Sequence, residues 1–322
     1  MHDTSFWLPT LDATRIHVHH WQTDGPARAS LLISHGMAEH GGRYQMLGQA
    51  LANAGIAVYA PDLRGHGLTA GEGLHGHFAD VDGWNLVIED LRALNHYIRC
   101  ENPHIPLFML GHSLGSYLVM SYLMQYSCSV QGALLSGPQY LRTTLRYRLA
   151  RLIARAECWR QGPRGRSKLL HALVFRPIQR SIQPQQSIHD WLSSDPAAVQ
   201  QYLADPMCGF MCTNQLWLDV LDGLQRITPM QSMSQIHHQL PLFLFGGEQD
   251  PLHQGKRLLD LAYALRESGQ RSVDVKLYPG MRHEPLNERH RARVFTDIIA
   301  WIRQQCDGLP APHPDSPGSH LQ

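Results

Sequence analysis

Gly111-His112-Ser113-Leu114-Gly115 sets a serine between two glycines, after the apolar run 106–110 and ahead of a helical stretch over 114–126. A serine at such a sharp strand-to-helix turn has its hydroxyl lifted above the sheet edge, and the glycines let neighbouring backbone approach with no Cβ in the way. A hydroxyl is a weak nucleophile until a base takes its proton, and that base needs a carboxylate to orient it. The same five residues also fit an ordinary turn with no catalytic role, so the reading depends on finding the two partners.

In a chain of this pattern the order is Ser, then Asp or Glu, then His, each in the loop behind a strand. Asp250 lies in Gly247-Glu248-Gln249-Asp250-Pro251, behind the apolar run 241–245. His283 lies in Gly280-Met281-Arg282-His283-Glu284, behind the run 273–278. Glu248 rivals Asp250, being nearer the strand end, and the positional rule favours Asp250. A lone histidine means little among 21. His237, His238 and His253 are alternatives that read better as surface or lid residues, and of these candidates only His283 follows the last expected strand. An oxyanion hole needs two backbone N–H groups. Leu114 offers one by position, and Met37, in His35-Gly36-Met37-Ala38-Glu39-His40, is the choice for the other. Asp62, in the following loop Pro61-Asp62-Leu63-Arg64-Gly65-His66-Gly67, reads as structural, holding a tight turn beside the site.

Strands are expected over 16–21, 29–34, 56–60, 106–110, 131–136, 241–245 and 273–278. Helices are expected over 44–54, 81–100, 114–126, 255–268 and 289–305. Alternation of continuous apolar strands with helices implies an α/β fold, a mostly parallel central sheet with helices on both faces. Right-handed crossovers put every strand's C-terminal end on one edge, where ligands bind. The alternation stops between 138 and 239, which reads as a helical cap or lid inserted into a core made of 1–137 and 240–306. The Pro-, Ser-, Gly- and His-rich tail 307–322 reads as disordered.

Apolar residues make up 43% and charged residues 17%, a globular composition, and the formal charge of +1 leaves no nucleic-acid footprint. Cys100, Cys128, Cys158, Cys208, Cys212 and Cys306 form no CxxC pair and read as reduced thiols. Cys208 and Cys212 lack a second ligand pair at zinc-site spacing, so no metal site is expected. With no basic-then-apolar leader and no run long enough to span a bilayer, the expected location is the cytoplasm or a membrane surface facing it.

The motifs together resemble the monoacylglycerol lipase and lysophospholipase branch of the α/β-hydrolases, grouped with the serine aminopeptidase S33-like enzymes. HGMAEHGGRY (35–44), PDLRGHG (61–67), GHSLG (111–115), GEQDP (247–251) and the histidine of GMRHE (280–284) fall in the family's order. The resemblance covers about residues 14–305 and is weak through the lid. It implies Ser113, Asp250 and His283 as a triad and the amides of Met37 and Leu114 as the oxyanion hole, with no metal or organic cofactor. Ser116 departs from the family, which usually has a second glycine there.

Residues 138–180 carry ten Arg and one Lys against a single acid, Glu157. Within them Leu141, Leu145, Leu149, Leu152, Ile153 and Ala156 form a helical stripe, with Arg142, Arg146, Arg151 and Arg155 largely on other faces. A basic amphipathic helix reads as a membrane-surface element, or as one that packs its stripe on its own domain beneath solvated arginines. The expected substrates are single-chain lipid esters. A peptidase or amidase on the same fold, and a binding protein on a hydrolase scaffold, are the alternatives; the intact Ser/Asp/His set argues against the latter.

Overall fold

The computed structural model describes residues 3–71, 74–141, 145–252 and 255–307. The tail after Asp307, His253 and Arg142 lie outside the described residues, as does the side chain of Arg146.

The chain opens with β1 (Asp3–Pro9) and β2 (Arg15–Trp21), which pair antiparallel. Alternation follows: β3 (Ala29–Ser34), α1 (Gln45–Asn53), β4 (Ile56–Pro61), α2 (Gly83–Glu101), β5 (Leu107–His112), α3 (Leu114–Tyr126) and β6 (Gly132–Ser136). The stretch behind β6 holds α4 (Leu145–Gln161), α5 (Lys168–Arg180), α6 (Pro196–Ala204), α7 (Asn214–Ile227) and the short α8 (Met230–Met233). The core then resumes with β7 (Leu242–Gly247), α9 (Lys256–Glu267), β8 (Val273–Tyr278) and α10 (Arg291–Asp307).

These strands form an eight-stranded sheet in the order β1-β2-β4-β3-β5-β6-β7-β8. From β4 to β8 all pairs are parallel, whereas β2 runs antiparallel to β4. The sequence gives no sign of β1: DTSFWLP lacks a clean alternation, and the strand exists because it pairs with β2 along its whole length, Asp3 opposite Trp21 and Pro9 opposite Arg15. β3 to β7 are buried at every position because helices cover both faces, and their sequences are correspondingly continuous apolar runs.

Two apolar layers sandwich the sheet. One joins its face to α2, α3, α7 and α9 through residues such as Leu91, Leu118, Leu216 and Leu261; the other joins the opposite face to α1 and α10 through Leu47, Ile298 and Trp301. Helix α7, in the segment between β6 and β7, packs closely on α2: a Cβ at Gly223 would lie 2.2 Å from the Trp84 ring. Thr213 caps α7 by accepting from Leu216 N–H at 3.2 Å.

The expected stripe packs on its own domain only in part: Ile153, and Leu141 just ahead of α4, rest against the core. Leu145, Leu149 and Leu152 are instead 81%, 56% and 60% exposed, Trp159 two turns further on is 90% exposed, and Ala154 and Glu157 face inward. Leu169 and Leu173 of α5 are also about half exposed, at 51% and 49%. Periodicity identified a stripe on α4, but the buried side is the narrower one through Ala154, where Asn214 Nδ2 donates to the Glu157 carbonyl at 3.2 Å.

Candidate active site

Ser113 sits between the end of β5 and the start of α3 with φ +50° and ψ −115°, a conformation costly for a residue with a Cβ. Close packing holds it there. A Cβ at Gly111 would lie 2.4 Å from the Gly115 carbonyl oxygen, and one at Gly115 only 2.0 Å from the Ser34 carbonyl oxygen. Ser113 N–H donates to the Ser136 carbonyl at 2.9 Å, tying the turn to β6. Ser116, where the family usually has glycine, is buried, and its Oγ donates to the Ser113 carbonyl at 2.5 Å. Its hydroxymethyl therefore braces the turn.

The loops behind β7 and β8 are locked together. Glu248 N–H donates to the Tyr278 carbonyl at 3.0 Å and Gln249 N–H to that of Met281 at 2.9 Å. A Cβ at Gly247 would lie 2.1 Å from the Arg282 carbonyl oxygen. This brings Asp250 Oδ2 to 2.7 Å from His283 Nδ1, both side chains buried. Asp250 Oδ1 accepts from Leu252 N–H at 2.8 Å. Glu248 is exposed, as are His237 and His238, so the rival side chains face solvent.

A carboxylate can only accept from Nδ1–H, which leaves the lone pair on Nε2. His283 Nε2 is buried and has no hydrogen-bond partner among the described residues. Burial pushes the His283 pKa down, but the Asp250 charge and hydrogen bond outweigh it, and the net shift is upward.

Met37 and Leu114 border the same cavity as Ser113 and His283. Leu114 opens α3, so its N–H belongs to the first turn, which has no intrahelical acceptor. Gly36, before Met37, passes so near the turn that a Cβ there would lie 3.4 Å from the Ser113 Cβ. His35 fixes this loop: Leu63 N–H donates to its Nε2 at 2.9 Å, so its Nδ1 carries the proton and donates to the Gly36 carbonyl at 2.7 Å. Burial lowers the His35 pKa, in keeping with a neutral ring.

A buried ionic network lies beside this loop, and motif reading missed it. Arg43 donates to Glu284 Oε1 and Oε2 at 2.8 and 2.7 Å and also pairs with Glu39. Glu39 Oε1 accepts from Gly36 N–H at 2.5 Å and from Tyr44 hydroxyl at 3.1 Å. Burial would raise the Glu39 carboxyl, yet the Arg43 charge, aided by the Gly36 N–H bond, brings it down to about 2. The only clue in the sequence was the position of these residues inside two quoted motifs.

The cavity above Ser113 has a volume of about 250 Å³. Residues between β6 and β7 supply much of its wall, chiefly apolar: Leu141, Leu170, Val174, Phe175, Trp217 and Leu224. The same segment touches the histidine loop, where His283 and Glu284 N–H donate to the Trp191 and Leu192 carbonyls at 3.4 and 2.7 Å. Asp62, expected to be structural, accepts from Gly41 N–H and Leu68 N–H, both at 2.8 Å, and so joins the loops behind β3 and β4.

A family model described as serine aminopeptidase, S33, matches residues 25–290. The chain belongs to this family. It is a serine hydrolase of the α/β-hydrolase fold. This S33 member is 30% identical over 286 residues to a monoacylglycerol lipase of Mycolicibacterium smegmatis, covering 88% of this chain and 90% of the relative. It is 25% identical over 309 residues to a monoglyceride lipase of Homo sapiens, covering 92% and 90%. Its fold matches that of a thermostable carboxyl esterase from Bacillus coagulans with a TM-score of 0.87 at 24% identity, covering 95% of this chain and 99% of that one. Among the described residues of this S33 member, no helix is long and apolar enough to cross a membrane.

Proposed function

We propose that this S33-family hydrolase cleaves single-chain lipid esters, monoacylglycerols or lysophospholipids, by a Ser113–His283–Asp250 acyl-enzyme mechanism. The observation that carries the reading is His283: its Nδ1 lies 2.7 Å from Asp250, and its Nε2 has no partner among the described residues, in a cavity it shares with Ser113. Nε2 takes the Ser113 proton as Oγ attacks the ester carbonyl, and the amides of Met37 and Leu114 receive the oxyanion. His283 then protonates the leaving alcohol. A water, deprotonated by the same nitrogen, attacks the acyl-enzyme, releasing the acid and restoring Ser113.

The largely apolar wall, contributed by residues of 138–239 acting as a lid, supports an acyl chain as the bound group. The relatives named monoacylglycerol and monoglyceride lipases support the same substrate class. The exposed stripe Leu145, Leu149, Leu152 and Trp159 lies among exposed Arg148, Arg155 and Arg160. Such a face suits an anionic lipid surface from which the substrate would enter, so the lid is also the proposed peripheral membrane contact.

The family description favours a second reading, an aminopeptidase. Recognition of a substrate ammonium calls for an available carboxylate, and the two that border the cavity among the described residues, Glu39 and Glu284, are both held by Arg43. That pairing favours the ester.

The test is labelling with a fluorophosphonate probe, followed by turnover of monoacylglycerols, lysophospholipids and N-terminal aminoacyl amides. Labelling abolished by Ser113→Ala, with lipid esters hydrolysed far faster than amides, is expected. Equal amide turnover would move the peptidase reading ahead, and a folded chain that takes no label would favour a binding role.

A further inference from the structure

His17 and His19 are alternate residues of β2, so their rings stand on one face of the sheet, 4.6 Å apart between centroids. β2 runs antiparallel to β4 with His19 opposite Ala60 and Val18 opposite Pro61. Asp62, the next residue, therefore emerges beside both rings. His17 Nδ1 lies 3.5 Å from Asp62 Oδ2, and His19 Nε2 lies 3.1 Å from Asp62 Oδ1. The two ring nitrogens and a carboxylate oxygen all fall within 4.8 Å of one another.

Three features go beyond an ordinary hydrogen-bonded cluster. His17 Nδ1 is buried and, among the described residues, makes no hydrogen bond of ordinary length, the Asp62 carboxylate standing 3.5 Å off. Asp62 is fully buried, and its ion-pair partners among the described residues are these two imidazoles, with no Arg or Lys. An ionised carboxylate offers about four lone-pair sites. Gly41 N–H uses one on Oδ1 and Leu68 N–H one on Oδ2, which leaves one on each oxygen turned toward the histidines.

We propose that His17 Nδ1, His19 Nε2 and Asp62 form a binding site for a borderline divalent transition metal of the zinc class. Zinc at its usual distances, about 2.0–2.2 Å from N and O, separates tetrahedral ligands by about 3.3–3.5 Å. Each imidazole nitrogen already lies 3.5 or 3.1 Å from a carboxylate oxygen, and with the three ligand atoms within 4.8 Å of one another, small side-chain rotations complete the set. The cation replaces the His19–Asp62 hydrogen bond, and a water takes the fourth position on the side of His19, whose side chain is 19% exposed. Among the described residues no hydrogen bond occupies the other nitrogen of either ring, so each can turn a lone pair to the metal.

The metal would act structurally. Asp62 holds Gly41 N–H, in the loop that carries Met37, and a Cβ at Gly41 would lie 2.9 Å from the His19 ring. A cation there clamps β2 to the oxyanion-side loop and takes no part in ester cleavage.

A second cluster, His40, Asp205 and Cys208, serves as an internal control. Gly42 N–H donates to His40 Nδ1 at 3.2 Å, so the proton sits on Nε2, which donates to Asp205 at 2.8 Å. That ring has no lone pair for a cation.

The test is calorimetric titration of chelator-treated full chain with zinc chloride, comparing wild type with His19→Asn and Cys208→Ser. Circular dichroism and the thermal midpoint report folding, and His19 is exposed enough for its variant to fold. One saturating zinc per chain, a raised midpoint, at least about 100-fold weaker binding in His19→Asn and unchanged binding in Cys208→Ser are expected. Wild-type chain that is folded but binds no stoichiometric zinc would overturn the proposal. So would binding that survives His19→Asn or disappears in Cys208→Ser.

Discussion

Arg43 and Glu284 lie 241 residues apart and meet in a bidentate pair, at 2.8 and 2.7 Å, one residue from His283. Arg43 also holds Glu39, whose carboxylate accepts Gly36 N–H. One guanidinium thus connects the loop bearing Met37 to the loop bearing His283, and its fork matches both oxygens of Glu284 as an ammonium could not.

Arg43→Met leaves two buried carboxylates without their cation. Removing one partner of a buried pair costs about 3–5 kcal/mol, and urea unfolding should show a loss of at least that order. Arg43→Lys restores the charge without the fork and should recover part of the stability. A variant as stable as wild type would show that water or rearrangement satisfies the two acids.

The same network makes acid stability dependent on Glu39. Burial opposes its ionisation, but Arg43 above all brings its carboxyl down to about 2, from an ordinary value of 4.5. A depressed carboxyl stabilises the fold above its unfolded pKa, and that contribution disappears as pH falls from about 4.5 toward about 2. Unfolding free energy measured against pH should decline in that window for wild type. For Glu39→Gln the decline should be shallower, from a lower starting stability.

His283 should set the acid limb of the rate profile. Its pKa lies above the ordinary 6.5, because Asp250 outweighs burial, so kcat/KM should rise with pH through a value higher than 6.5. Asp250→Asn removes the charge that holds the proton; the limb should move to lower pH while kcat falls by roughly 10⁴-fold. A limb that stays in place would assign the titration to another group.

Ser116→Ala removes the 2.5 Å bond to the Ser113 carbonyl but leaves that oxygen the Ser116 N–H at 3.0 Å. With the acceptor still paired, the cost should be about 0.5–1.5 kcal/mol in thermal or urea unfolding. Ser116→Gly should cost up to about 1 kcal/mol more through backbone freedom in α3.

Leu149→Glu with Leu152→Glu tests the exposed face of α4 as the proposed membrane contact. Both residues are exposed, so stability should stay within about 0.5 kcal/mol per site. Co-sedimentation with anionic vesicles should drop several-fold, and turnover of a short water-soluble ester should be unaffected. Undiminished vesicle binding would remove this face from the membrane contact.

The sequence alone determined the fold class and the positions of Ser113, Asp250 and His283 on the chain. Each stands directly behind an apolar run, and in a parallel sheet covered on both faces that position by itself implies the ligand-binding edge. Gly111 and Gly115 were legible for a similar reason, since the contacts that demand them, with Gly115 and Ser34 carbonyl oxygens, follow from the strand–turn–helix geometry. Strand β1 was not legible, because its partner β2, not its own composition, makes it a strand. The tertiary structure alone decided that Arg43 meets Glu284, that Asp62 lies between His17 and His19, and that the leucines of α4 face solvent. Periodicity reports which residues share a face; only packing against the rest of the chain determines where that face points and which distant charge it meets.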